Sequence, residues 1–292
     1  MTQVDTAKLK ASNRRVGRRL GGTAAIFIVL SVLGAFMVLP IYLTVIMSVK
    51  PVEELFVFPP KMYVIRPTLD NFRDMFESVR QNRVPFSRYV FNSIAVTVSV
   101  TVLQCVFSSM AAFVLAKCRF PGSRLINHVI VIALLYQSNV IYIMQYMVMS
   151  RLHLIDNPLA LILPSVASPM GLFLMRQSIS QMPDSMIEAA KVDGAGLFRI
   201  CWQIVIPNQK PALMTLIIFA FQAAWNIQAG SLVFQEQYKT LPTVVAQAAS
   251  SGMARAGVAM AAAVFMLIPP MIVFILAQRY VIETMAHSGI KE

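Results

Sequence analysis

The side chains that most often do chemistry are few and dispersed in this sequence. Its three histidines, His128, His153 and His287, stand far apart, and its three cysteines, Cys105, Cys118 and Cys201, have neither zinc nor redox spacing. No disulfide, metal site or catalytic residue is expected. There is no GxxxxGK[ST] loop to cradle a phosphate, so any ATP would have to be bound on another chain. Two polar groupings remain. The first is a set of uncharged side chains inside apolar runs: Tyr136, Gln137 and Asn139 in one run, with Tyr142 and Gln145 nearby, and Gln222, Trp225 and Asn226 in another. Such groups are costly in hydrocarbon. They either bond helix to helix or line a water-filled path, where amides bond hydroxyls and aromatics stack on pyranose faces. The second is "EAAKVDGAGLFRICWQIVIP", Glu188 to Pro207, which gathers Glu188, Lys191, Asp193 and Arg199 between nearly charge-free segments.

The elements that must position these groups are those of a membrane protein. Hydrophobic residues make up 57% of the 292-residue chain and charged residues 13%, against about 25% charged in soluble domains. The fold class expected is all-α, with six transmembrane helices at about 23–47, 89–116, 125–149, 159–175, 211–233 and 256–277. Lys8, Lys10, Arg14, Arg15, Arg18 and Arg19 precede the first apolar run. The pair looks like the start of a secretory signal, but the run is too long and no small-residue cleavage site follows, so a retained first helix is expected. Residues 1–21 form a basic cytoplasmic segment, and 22–292 a single transmembrane domain.

The formal net charge of +12 is then a property of loops, not a mark of nucleic-acid binding. Lys117, Arg119, Arg124, Arg176, Lys191, Arg199 and Lys210 fall in segments that this topology places inside, whereas the two short outside loops carry only Arg151, Lys239 and Arg255. That bias puts both termini and the polar segment 176–210 in the cytoplasm. The long outside segment 48–88 is broken by Pro51, Pro59, Pro60 and Pro67, with a short amphipathic helix near Leu69–Val79. Pro40, Pro164, Pro169, Pro269 and Pro270 should kink the spans that hold them.

The six cores contain almost no ionisable side chain, which leaves no proton or sodium relay. Nor do paired, glycine-interrupted spans suggest an ion-coupled carrier. A secondary carrier acting alone is therefore the weaker alternative. The polar stretch itself reads as helix, turn, helix. Pro183 and Asp184 suit a first turn, Asp193-Gly194 a stop, and a second piece over about Leu197–Ile204 leads to Pro207, where the chain turns towards the fifth span. The flat alanine pair is equally compatible with an ordinary connection and with a helix lying in a partner's groove.

The spacing Glu188-Ala189-Ala190, three residues, Gly194, nine residues, then Ile204-Val205-Ile206-Pro207 resembles the EAA loop of ABC importer permeases, with Ile206 in place of the usual leucine. "TLDNF" (Thr68–Phe72), "FNSIAV" (Phe91–Val96), "AFVLAKCRFPG" (Ala112–Gly122), "GLFLMRQ" (Gly171–Gln177) and the C-terminal "AQRYVIETMAHSGIKE" are similar to its carbohydrate-uptake branch, on the side of the G-type subunit of the maltose permease. The resemblance implies a bacterial inner-membrane permease that pairs with a second permease, two ATPase subunits carrying ATP and Mg, and an extracytoplasmic solute-binding protein. It implies a docking role for Glu188, Ala189, Ala190, Asp193, Gly194 and Pro207 in a cytoplasmic coupling helix, no cofactor on this chain, and an oligosaccharide as substrate. "QEQYKTLP" and "MARAGVAMAAA" look like permeases for oligosaccharides of acidic polysaccharides such as alginate or pectin. A permease for another solute, such as a polyamine or peptide, is the nearest alternative.

Overall fold

The computed structural model describes residues 20–59, 61–80, 84–135, 138–250 and 256–288. Among them there is no strand. The main helices are α1 (Leu20–Ser48), α2 (Asp70–Arg80), α3 (Phe86–Lys117), α4 (Ser123–Ala133), α5 (Ser138–Arg151), α6 (Leu159–Val166), α7 (Pro169–Ser180), α8 (Asp184–Val192), α9 (Leu197–Asn208), α10 (Lys210–Trp225), α11 (Leu241–Ala249) and α12 (Ala256–Ser288).

Four helical stretches are long and apolar enough to cross a membrane: Ala24–Ser48, Phe86–Lys117, Leu159–Ser180 and Ala256–Gln278. The bent pair α9–α10 supplies a fifth if counted as one span. The expected span 125–149 is occupied by α4 and α5, on either side of residues 136–137, which lie outside the described residues. The amphipathic helix expected in the outer segment is α2.

α3 stands at the centre and packs against α6, α7 and α10. Its buried face carries Ser93, Val96, Thr97, Val100, Thr101, Gln104, Ser108 and Ala112, at the three-to-four-residue spacing of one helix side. Small and hydroxyl side chains let neighbouring backbones approach where lipid offers no hydrophobic drive to associate. The expected kink near Pro169 is a restart: Ser168 caps α7 by accepting the Gly171 N–H, with Pro169 in the first turn. α1 packs on α12 and leaves most of its apolar surface exposed, as suits lipid or a second membrane subunit. Asn71 of α2 donates from Nδ2 to the carbonyls of Ser48 and Lys50, at 2.9 and 2.6 Å, tying α2 to the end of α1.

The fifth expected span, 211–233, departs from expectation. α10 ends at Trp225, and its 16 residues reach about 24 Å, short of a hydrocarbon core of about 30 Å. Residues 226–232 are irregular, so their backbone groups need partners inside the protein. Thr240 donates to the Ile227 carbonyl at 2.8 Å, the Ala229 N–H reaches the Thr243 hydroxyl at 2.7 Å, and the Leu232 carbonyl accepts from the Asp156 N–H at 2.9 Å. Absence of charge and proline favours a span through residue 233, but Asn226, Gln228, Gly230 and Ser231 interrupt the apolar run.

Pro269 and Pro270 sit inside α12. In a regular helix the Met266 carbonyl would accept from residue 270, but Pro270 has no N–H. The Trp225 indole N–H donates to that carbonyl at 3.0 Å, and Trp225 is only 2% exposed. The proline-freed acceptor is thus answered from α10. Trp225→Phe keeps an aromatic ring and removes this donor. It is expected to cost about 1 kcal/mol, read as a lower thermal midpoint of the detergent-solubilised protein. An unchanged midpoint would show that the bond contributes nothing.

Candidate functional site

Two regions bring polar groups together. The first is an open cavity of about 810 Å³ lined by α3, α5, α6, α7, α10 and the irregular segment 226–232. Its polar wall consists of Gln104, Tyr142, Gln145, Ser165, Ser168, Asn226 and Gln228, and no charged side chain lines it among the described residues. Phe219 adds a partly open ring. Tyr142 braces the wall by accepting the Ser231 N–H at 2.7 Å.

The residues expected to line a path are distributed unevenly. Asn226 lines the cavity, its Nδ2 donating to the Gln222 carbonyl at 2.8 Å. Gln222 opens instead on a separate apolar groove between α10 and α12, beside Phe221, Pro270 and Phe274. Trp225 is buried and bonded to α12, which makes it a packing residue here. Asn139 stands in the first turn of α5; its side chain, with Tyr136 and Gln137, lies outside the described residues. Gln104, Ser165, Ser168 and Phe219 were not anticipated. For Gln104 a signal existed: Ser93, Thr97, Thr101, Gln104 and Ser108 fall on one side of α3 in a run otherwise read as plain hydrophobic span.

The second region is the segment α8–α9. Ile187 and Ala190 turn inward onto Met175, Ile179, Ile200 and Val205, whereas Glu188, Ala189, Val192, Asp193 and Gly194 are exposed. Ala190, expected on the outward face, is therefore a core residue. Leu197 and Phe198 extend the exposed surface with large apolar side chains. Gly194 ends α8 with φ +79°: its N–H bonds the Lys191 carbonyl and the Ala195 N–H bonds the Ala190 carbonyl, closing a Schellman cap. Pro207 sits within the last turn of α9. The 85° bend into α10 falls at Gln209, two residues later than expected, and Pro211 opens the new helix. Ser178 of α7 donates to the Gln209 side chain and pins that corner.

The segment is fastened to the central helix. Lys117, in the last turn of α3, donates to the Asp184 carboxylate at 2.6 Å and to the Met182 carbonyl. The Lys117 side chain is 6% exposed while that of Asp184 is largely open. The hydrogen bond from Lys117, then its charge, hold the Asp184 carboxyl below the usual carboxylate range. A depressed folded value means that the stabilising effect is complete above the unfolded carboxylate value of about 3.9 and fades as pH falls through the lower folded one. Lys117→Met is expected to raise hydrogen exchange over α8 at neutral pH and to abolish the further loosening that acid below about pH 4 brings to the unaltered protein. Equal protection in both proteins at neutral pH would remove the clamp.

Comparison with known proteins places this geometry. The family described as binding-protein-dependent transport system inner membrane component matches residues 24–287. The sn-glycerol-3-phosphate transport system permease protein UgpE of Yersinia pestis bv. Antiqua is 32% identical over 225 residues, covering 72% of this chain and 76% of that protein. The arabinooligosaccharides transport system permease protein AraQ of Bacillus subtilis is 29% identical over 273 residues, covering 91% of this chain and 93% of the relative. A solved chain of a bacterial ABC transporter involved in the import of the acidic polysaccharide alginate superposes with a TM-score of 0.72 at 23% identity, covering 91% of this chain and 98% of the other.

Proposed function

The chain belongs to the binding-protein-dependent transport system inner membrane component family, and from that premise we propose that it is one of two permease subunits of an ATP-driven ABC importer for oligosaccharides. The family consists of inner-membrane transport components, not enzymes. In this reading residues 22–292 form one permease domain of six spans, with α4 and α5 together making the third. Both termini and α8–α9 lie in the cytoplasm. A second permease completes the path, two ATPase subunits carry ATP and Mg, and a solute-binding protein delivers solute from outside.

The observation that carries the reading is the form of α8–α9. Val192 and Phe198 are 87% and 68% exposed, on a segment whose other face is locked to α3 and α7. Exposed apolar side chains on a braced support suit burial in a partner's groove. Glu188, Ala189, Asp193 and Gly194 frame that surface, Ala190 anchors it, and Pro207 belongs to the helix that returns the chain to the membrane. Because α8 is clamped to the end of α3, closure of the ATPases would move helix and bundle together, largely as rigid bodies.

The named solutes of the relatives support two readings of the cargo. AraQ favours an oligosaccharide, and the likeness of "QEQYKTLP" and "MARAGVAMAAA" points to an acidic polysaccharide such as alginate or pectin as its source. UgpE favours a small phosphorylated polyol, the second reading.

Charge reversal at the exposed face tests docking directly. Glu188→Lys, and separately Gly194→Asp, which strains the left-handed residue of the cap, are expected to insert in the membrane normally and to lose co-purification of the ATPase subunits. Complexes of normal composition and uptake with both variants would count against a docking role for α8.

A further inference from the structure

The cavity wall holds a buried amide with nothing to bond. Gln104 is 5% exposed, faces the cavity from α3, and has no hydrogen-bond partner among the described residues. Packing fixes its place. A Cβ on Gly171 would come within 2.9 Å of Gln104 Nε2 and 2.8 Å of Leu216 Cδ1, so only glycine lets α7 close this tightly behind the amide. A carboxamide brings two donors and an acceptor, and leaving them unanswered in the interior is costly. The amide therefore calls for an occupant that hydrogen-bonds, either water or the hydroxyls of a solute.

The surroundings narrow the class of that occupant. Gln145, Gln228 and Ser168 add neutral polar groups, and Phe219 offers a ring 46% exposed. With no charged side chain in the wall among the described residues, a phosphate or carboxylate entering here would shed hydration without gaining a counter-charge there. A volume of about 810 Å³ lies within the usual range for small-molecule sites.

We propose that this cavity is a solute-contact site for neutral, hydroxyl-rich glycosyl units, with Gln104 bonding their hydroxyls. The inference rests on the importer reading and narrows its substrate class: an anionic unit would have to find its counter-charge on the sibling permease.

The test uses the whole complex, with sibling permease, ATPases and binding protein, reconstituted in proteoliposomes with ATP. The probes are arabinotriose, sn-glycerol 3-phosphate and an alginate trisaccharide, each radiolabelled. The expected result is accumulation of arabinotriose and a fall of about tenfold in its kcat/KM with Gln104→Met. The thermal midpoint of that variant should be equal or higher, because an amide that bonds nothing in the protein is being removed; a purely structural glutamine would lower it. Ala223→Phe, which narrows the cavity from an exposed position on α10, should reduce the same uptake. Uptake confined to the two anions, or no uptake of any probe, would overturn the substrate class. Arabinotriose uptake indifferent to both substitutions would overturn the site. Uptake that proceeds without ATP would instead defeat the importer reading itself.

Discussion

A polar group held at membrane depth is costly unless it is paired within the protein or kept beside water, and several features of this structure answer that constraint. The chain meets it almost without charge. Where Pro270 frees a carbonyl in α12, the indole of Trp225 answers it. Where α10 stops short of a full span, hydroxyls of Thr240 and Thr243 take up the loose backbone of 226–232. Where neither partner nor lipid-compatible packing exists, as at Gln104, the chain leaves a cavity. The irregular segment and the cavity are two faces of one solution, since unwound backbone at this depth is tolerated where it lines an aqueous space.

The segment α8–α9 obeys a different rule. Its outward face is stiffened from behind. Ile187 and Ala190 are buried in a core shared with α3, α7 and α9, Lys117 clamps the first turn, and Ser178 with Gln209 fixes the corner. Val192, Leu197 and Phe198 are left outside that core. A displacement applied to that face is delivered to the end of the central helix, the same helix that presents Gln104 to the cavity. In the proposed reading, energy input and solute contact are joined through α3.

Much of this was legible in the sequence, for physical reasons. Span positions follow from the length of apolar runs, and the turn at Asp193-Gly194 from the left-handed conformation that a helix end takes up. α2 was readable from its amphipathic period. Less legible were features that depend on what another helix supplies. Trp225 reads as an aromatic of a polar path until α12 provides its acceptor. Ala190 reads as part of a flat outer surface until packing turns it inward. Gln104 hides in a long span because one amide barely changes local hydropathy, and only the Ser/Thr rhythm of α3 hints at its orientation. The end of α10 depends on the Thr240 and Thr243 hydroxyls further along the chain, and Asn226 and Gly230 are its local signal.

The central claim is that this chain conducts solute only as driven by partners that dock on α8–α9. Its most direct test is arabinotriose flux in proteoliposomes that contain either the paired permeases alone or the full complex with both ATPases and the binding protein. The expected result is ATP-dependent accumulation with the full complex and none with the permeases alone, whatever ion gradient is imposed. Accumulation by this chain without ATPase subunits, down a proton or sodium gradient, would contradict it.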